Sequence, residues 1–468
     1  MAHDIIPTNR KALIINIDTK LFGTFAEIGG GQEVARHFFQ AGGSSETIAK
    51  TTSAYDKKFS DSFYNQNKIG RHVSEQRLVK MLDYEYKEVH KLLEDSHKDT
   101  TFFALANTME IINYNKTNNS HGWMGVKYQL TPKSKPNIVI IHIKLLENDA
   151  LLQQATIGTI GVNLLFACKF YYDSPTTFLK SLTDNLSMDR FRITMMRMSG
   201  PDLDYIDNKL LAVQLVKNKM TRSIMFDKLG NVQQPYDMLY KKNVLAFRGS
   251  FMPVTFIAQD ILNKSMELFA NDEDYEPDNT LSFCELSLNN ILSKGEVDEQ
   301  DFLNRVDMLV SIGQNVMISD LPEYYKLVDF FSQFKLNKLR IVMGIPTFEK
   351  VLSKKYYKNL RGGILEAVSK MFPSNMKLYI YPTKRYKGDD IITTNNLEID
   401  HDIKLIFNYL KERRFILDII SDMKDQLHIS TREVNSMLKS GNEEWKKYVP
   451  DSVSKIIKNR GIDKDNLA

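Results

Sequence analysis

A chain of 468 residues is too long for one ordinary core and predicts roughly two to four domains. With 43% hydrophobic and 26% charged residues it has the composition of a globular protein, which excludes wholesale disorder. Its net charge of +4 is spread along the chain, so charge gives no case for nucleic acid, and the aromatic–basic pattern of an RNA-binding surface is also missing.

The N-terminus carries no long apolar run of the secretory kind, and a cytoplasmic location is expected. The run ALIINI (12–17) reads as a strand. After it comes LFGTFAEIGGGQEVARHFF (21–39), with Gly29, Gly30 and Gly31 ahead of a helix-like segment. Small residues before a helix let backbone N–H groups approach phosphate oxygens, and the helix start adds partial positive charge. The spacing is neither GxGxxG nor GxxxxGK[ST], so a plain corner of the chain explains it as well. NIDTK (16–20) is similar to the DxDxT loop of haloacid-dehalogenase-like phosphatases, with KGDD (387–390) as the later acidic motif. Asn16 stands where that chemistry needs an aspartate, and an amide cannot form the aspartyl-phosphate. Ser74 opens a helix whose Leu78, Leu82, Tyr86, Val89 and Leu93 share one face, and the polar tract 113–122 reads as a loop. This first segment is drawn as 1–130.

The second, 131–270, opens with the strand IVIIHIK, in which His142 reads as a core histidine. An apolar helix over 149–172 follows; its longest apolar run is too short to cross a bilayer. RFRITMMRMSG, LLAVQLV, RSIMFD and NVLAFRG read as strands, and the acidic stretch 271–279 as a linker. The third segment, 280–385, alternates strand and helix in the order β-α-β-α-β-α-β, predicting a parallel sheet covered on both faces. The fourth, 386–468, is a helical C-terminal segment in which Asp451 is placed to cap the last helix. The expected fold class is α/β: mostly parallel sheets flanked by helices, in several domains.

Ligands of such sheets sit beyond the carboxyl ends of the strands. Arg248, Asp320 and Gly344 fall there, and Glu285 lies inside SFCELSL, where a carboxylate is costly to bury without a partner; Arg248, Glu285 and Asp320 are the catalytic candidates, and a strand-end cap or a buried ion pair is the plain structural explanation of each. Cys168 and Cys284 lie in apolar surroundings and read as buried thiols. The nine histidines show no HExxH or HxH spacing, so no metal site is expected.

LFGTFAEIGGGQ resembles the nucleotide loop of the nicotinate-mononucleotide adenylyltransferases, which reads roughly GGTFDPIHxGH. Gly23, Thr24, Phe25, Ile28 and Gly31 fall on matching positions. That family closes with ISSTxIR, a glycine and VPxxVxxYI; here ISTREVNSML, Gly441 and VPDSV stand in the same order. Long bacterial proteins carrying this adenylyltransferase label share the look of the whole chain. The resemblance implies a nucleotide ligand held by Gly23, Thr24, Phe25, Gly29, Gly30, Gly31, Gln32, Ser430, Thr431 and Arg432, with ATP and magnesium as cofactors. It also implies that the two ends of the chain pack together. The family's two phosphate-binding histidines are replaced by Gly29 and Gln32, and Arg432 directly follows Thr431 instead of standing farther on. Loss of those cationic donors removes several kcal/mol of transition-state stabilisation. Two readings follow: a nucleotide-binding, nucleotidyltransferase-like enzyme degenerate at its catalytic site, or a non-catalytic scaffold whose aromatic-rich helices are partner surfaces, for a homo-oligomer among others.

Overall fold

The computed structural model describes residues 4–288, 299–384 and 390–462. The chain divides into two compact units, 1–221 and 222–468. Strand pairing runs across each of the segment boundaries drawn near 130, 270 and 385.

In the first unit Pro7 precedes helix α1 (Thr8–Asn16), so the run 12–17 is mostly helix rather than strand. A short apolar run fits either period; burial of Lys11, Ala12, Ile15 and Asn16 on one helical side decides it. The first strand is instead LFGTFAEI itself, β1 (Leu21–Ile28), followed by α2 (Glu33–Ala41), β2 (Ile48–Thr52), α3 (Lys57–Tyr64) and α4 (Glu75–Leu93). Ser74 caps α4, its hydroxyl accepting from the Arg77 amide. Strands β3 (Thr101–Glu110), β4 (His121–Tyr128) and β5 (Asn137–Leu145) come next, then α5 (Ala150–Phe170), α6 (Pro175–Leu182), β6 (Phe191–Ser199) and α7 (Asn208–Lys217). LLAVQLV thus forms α7, not a strand; Asp207 caps it.

The sheet order is β2-β1-β3-β4-β5-β6. Only β1 pairs in parallel, with β2 and β3; the β3-to-β6 half is antiparallel. Alternate residues face α4 on one side and the core formed with α1, α2, α5 and α6 on the other. Gly125 lets Leu78 and Leu82 of α4 approach the sheet closely. Helix α5 is long and apolar enough to cross a membrane, but most of it is buried inside this unit, where a core helix is apolar all round.

The second unit begins with β7 (Ser223–Phe226), β8 (Val232–Gln233), α8 (Pro235–Leu239), β9 (Asn243–Arg248) and α9 (Phe256–Ala270). Then follow β10 (Thr280–Ser287), α10 (Glu299–Ser311), β11 (Asn315–Ser319), α11 (Tyr324–Ser332), β12 (Lys338–Gly344), α12 (Ile345–Val351), α13 (Gly363–Met371) and β13 (Met376–Tyr381). The hairpin β14 (Thr383–Lys384) and β15 (Ile391–Ile392) leads to α14 (His401–Glu412), β16 (Ile416–Asp418), α15 (Thr431–Lys439) and α16 (Asp451–Asn459). Pro450, not Asp451, holds the N-cap position of α16.

Its sheet runs β16-β13-β12-β9-β10-β11-β7-β8. The six strands from β16 to β11 are parallel, and β7 and β8 add an antiparallel flange. In chain order the parallel set reads 6-5-4-1-2-3, which is the doubly wound arrangement. Strands β9 and β11 are buried along their whole length, as strands covered on both faces must be. The acidic stretch 271–279 lies inside this unit, where the half-buried Asp272 pairs with Arg340 and Lys377.

Candidate functional site

The glycine turn closes the carboxyl end of β1. Gly29 and Gly31 adopt left-handed backbone, φ +91° and +76°. A Cβ on Gly29 would sit 1.9 Å from the Met109 carbonyl oxygen, so only glycine fits. The start of α2 is already occupied by a carboxyl supplied by the chain. Glu27, 1% exposed, accepts from the amides of Ala35 (2.9 Å) and Val34 (3.3 Å) and from Asn107 Nδ2 (3.0 Å). Burial pushes its carboxyl up to about 7, against the pull of these three donors. The other residues expected at a nucleotide loop have structural duties. Gly23 lies under the Phe103 ring, Thr24 Oγ1 donates to the Lys50 carbonyl (2.9 Å) and Phe25 is wholly buried. These three are inside β1 rather than in a loop, because the strand begins at Leu21. Gln32 takes the N-cap position of α2 without a side-chain bond.

The second motif falls in the other unit. Ser430 and Glu433 form a capping box at the start of α15: Ser430 Oγ accepts from the Glu433 amide (3.2 Å), and Glu433 Oε2 accepts from the Ser430 amide (2.6 Å). Thr431 opens that helix and Arg432 is exposed. The segment ahead of it is tied to α9. Tyr381 and Ser421 both donate to Asp260 Oδ2 (2.5 and 2.7 Å), and Lys264 pairs with Asp422 (2.6 Å).

Two of the three catalytic candidates meet. Arg248, ending β9, forms a two-pronged ion pair with Glu285 of β10, the side chains 5% and 0% exposed. Its guanidinium also donates to the carbonyls of Leu321 (2.6 Å) and Pro322 (2.9 Å), lies 4.7 Å from the Tyr324 ring centroid, and leaves Glu285 to take a third bond from Ser319. Both groups are spent on one another, and a buried pair of this kind positions the strand ends. Asp320 stands apart, 3.3 Å from Arg222.

The stretch with the geometry of a ligand site was not singled out from the sequence. It is 249–255, the turn from β9 into α9. Strand β9 is where chain order reverses across the sheet, with β10 on one side and β12 on the other. The crevice outside the carboxyl ends of such strands is where doubly wound sheets take ligands. Gly249 and Ser250 open the turn, Phe251 holds left-handed backbone at φ +47°, and Thr255 caps α9 by accepting from the Ala258 amide (3.2 Å). Across the crevice, Gly344 ends β12 and precedes Pro346 at the start of α12. The available signal was a Gly-Ser-Phe-Met-Pro run directly after an apolar strand.

The phosphatase-like reading loses its first motif: Asn16 donates to the carbonyls of Phe38 (2.7 Å) and Gly42 (2.8 Å) as a structural amide. Residues 387–389 of KGDD lie outside the described residues. His142 is 2% exposed and bonded to Thr194 (2.5 Å) and His121 (3.0 Å); burial, then His121, hold it neutral. Cys168 and Cys284 are buried free thiols. Among the described residues no group of three or more His, Cys, Asp or Glu is placed to hold a metal ion.

The chain matches no protein-family model and no curated protein sequence. Among solved structures it is similar to a competence/damage inducible protein CihA from Agrobacterium tumefaciens, at 16% identity and a TM-score of 0.27, covering 35% of this chain and 98% of that one. It is also similar to a Plasmodium falciparum nicotinic acid mononucleotide adenylyltransferase complexed with APC, at 17% identity and a TM-score of 0.31, covering 48% of this chain and all of that one. Overlaps this loose carry no weight for the activity of this chain.

Proposed function

We propose that the second unit binds a nucleotide across the crevice between β9 and β12, with its phosphates at the exposed Ser250 and the start of α9, while Gly249 gives its amide to the Glu285 carbonyl (3.2 Å). One observation carries this reading: a glycine-containing turn and a 15-residue helix follow the strand at which the doubly wound order reverses. The adenylyltransferase pattern GGTFDPIHxGH also has counterparts here, with three identities against five in the first unit, but here they fall on a turn between a strand and a helix instead of inside a strand. Gly249, Phe251 and Pro253 coincide, with Ser250 for threonine and Val254 for isoleucine. The closing motif at Ser430, Thr431 and Arg432 belongs to the same unit and follows the segment bonded to α9. Thr255 and Ala258 stand at the two histidine positions, so no cationic donor from this motif meets the charge that adenylyl transfer would develop. The reading is therefore binding without efficient transfer, and it agrees with the non-catalytic alternative on chemistry.

Calorimetric titration of the whole chain with ATP, NAD and nicotinate mononucleotide tests it. We expect at least one to bind, a tenfold or greater loss in Ser250→Glu, no loss in Gly31→Asn, and no pyrophosphate released from ATP with nicotinate mononucleotide. Absence of binding, or equal binding by Ser250→Glu, overturns it.

A further inference from the structure

Asp260 lies in the second turn of α9, five residues beyond the Thr255 cap and so about 7–8 Å along the axis from it. Its carboxylate is held from one side. Tyr381 and Ser421, 3% and 4% exposed, both donate to Oδ2 (2.5 and 2.7 Å), and their own oxygens are 2.7 Å apart. Ser421 Oγ is fixed in turn by the Met423 amide (3.0 Å). Oδ1 takes no hydrogen bond among the described residues, and Asp260 is half-buried, within reach of solvent.

No cation among the described residues neutralises this carboxylate. Lys264, one helical turn farther on, pairs with Asp422 (2.6 Å) and Glu267 (2.9 Å) instead. Three other carboxylates at the same end of the sheet are engaged. Glu285 is locked to Arg248, and Asp320 stands beside Arg222. Asp418 accepts from the Thr394 amide (3.0 Å), the Thr394 hydroxyl (2.7 Å) and Asn395 Nδ2 (3.3 Å).

The strand register puts open space next to Asp260. Tyr381 ends β13 directly opposite Gly344 of β12, so the two share a face of the sheet. That face is the one under α9, because Tyr381 reaches Asp260. Gly344 leaves it bare: a Cβ there would meet Pro346 Cδ at 3.7 Å and nothing nearer outside its chain neighbours. Strand β12 is also the strand that borders the crevice opposite β9. A carboxylate accepts hydrogen bonds, cannot donate them and repels a phosphate, so whatever it takes must carry hydrogens. With phosphates at the start of α9, the next part of a nucleotide is its sugar, and a ribose offers two adjacent hydroxyls. In doubly wound dinucleotide sites the carboxylate for the sugar belongs to the second strand of the fold. Here that strand is β10, and its Glu285 is already spent on Arg248.

Resting on the nucleotide reading above, we propose that Asp260 is the specificity-determining residue of that crevice. It accepts from the ribose hydroxyls, so the ligand is a ribonucleotide and lies toward β13 rather than β10.

Calorimetric titration of the whole chain with ATP, 2′-deoxyATP, 3′-deoxyATP and inosine triphosphate tests this. We expect ATP to bind about tenfold tighter than the deoxy forms, the loss of one hydrogen bond to a charged group, and inosine triphosphate, which lacks the base amine, to match ATP. In Asp260→Asn the side chain keeps an oxygen for Tyr381 and Ser421 and presents an NH₂ in place of Oδ1. ATP should then bind no better than 2′-deoxyATP, whose own affinity stays within about twofold. Convergence of the two identifies a sugar contact, because a merely structural loss weakens both alike. Tyr381→Phe removes one tether and keeps the carboxylate; it should lower the preference for ATP about threefold, a second readout if Asp260→Asn does not fold. Equal affinity of the parent chain for ATP and both deoxy forms, or a preference unchanged in Asp260→Asn, overturns the inference and leaves the nucleotide crevice standing. Weaker binding of inosine triphosphate with no loss for the deoxy forms moves the contact to the base and overturns it as well. If none of ATP, NAD and nicotinate mononucleotide binds, the crevice itself falls.

Discussion

Replacing Glu27 with glutamine should stabilise the first unit at neutral pH and leave it nearly unchanged in acid. Glu27 is buried, and its carboxyl is raised from the ordinary 4.5 to about 7. A rise of that size corresponds to about 3 kcal/mol between the two protonation states. The folded state therefore holds this proton across a pH range where the unfolded chain has released it. Stability falls as the pH climbs through that range. The contribution of Glu27 is whole below about 4.5 and is lost as the pH passes 7. Glutamine keeps an oxygen for the Ala35 amide; its NH₂ takes the place of the oxygen that accepts from Val34 and Asn107 Nδ2, and donates to Asn107 Oδ1, a buried acceptor without a partner, once the Asn107 amide turns over. The difference between Glu27→Gln and the parent should grow from near zero at pH 4 to about 3 kcal/mol at pH 8. The two tryptophans make this measurable: Trp123 is in the first unit and Trp445 in the second, each 1% exposed. In a Trp445→Phe background, urea unfolding followed by fluorescence reports the first unit alone. A difference that stays flat from pH 5 to 8, or a variant less stable than the parent at pH 8, refutes the reasoning.

Arg248→Met should cost about 3–5 kcal/mol in the second unit, read by Trp445 fluorescence, because it leaves the Glu285 carboxylate buried and uncompensated. A loss below 1 kcal/mol would mean that the pair is not desolvated. Gly29→Ala should destabilise far more than Gly313→Ala. Both glycines have positive φ, but only at Gly29 does the new Cβ strike backbone, whereas the site at Gly313 is open and should cost about 1–2 kcal/mol. Equal melting temperatures for the two variants would contradict the contact with Met109. Ser430→Ala should cost about 1 kcal/mol through the lost capping box, read by Trp445 fluorescence; an unchanged stability would contradict the reciprocal bonds of Ser430 and Glu433.

Legibility in the sequence followed burial pattern. Between 280 and 385 the four parallel strands were readable, because strands buried on both faces appear as dense runs of Ile, Val and Leu; between β12 and β13 one helix was read where α12 and α13 are two. The runs at 12–17 and 210–216 were not, since six or seven apolar residues satisfy both periods and only the caps at Pro7 and Asp207 separate helix from strand. Pairing direction in the first unit was also invisible: β5 and β6 look alike in sequence whether parallel or antiparallel. At the candidate site, three glycines drew attention to a turn whose helix amides are engaged by Glu27, whereas the turn at 249–255 carries a single glycine. Arg248 and Glu285 were found because charged residues within apolar strands are conspicuous, but whether they face a ligand or each other is set by register, which a single sequence does not display.

The lengths of the outermost strands bear on how this chain survives its own synthesis. The second unit's sheet ends in β16, three residues long, and β8, two residues long. Neither presents a row of backbone groups long enough to template another chain. In the first unit the longer edge strand β6 is blunted differently: Asn208 donates to the Met198 carbonyl (2.9 Å) and accepts from its amide (2.8 Å), an amide side chain standing in for a neighbouring strand. A parallel sheet assembles slowly, and while it does so a long open margin would recruit copies of itself. With margins as short as β16 and β8, association between copies by strand addition to the second unit is disfavoured.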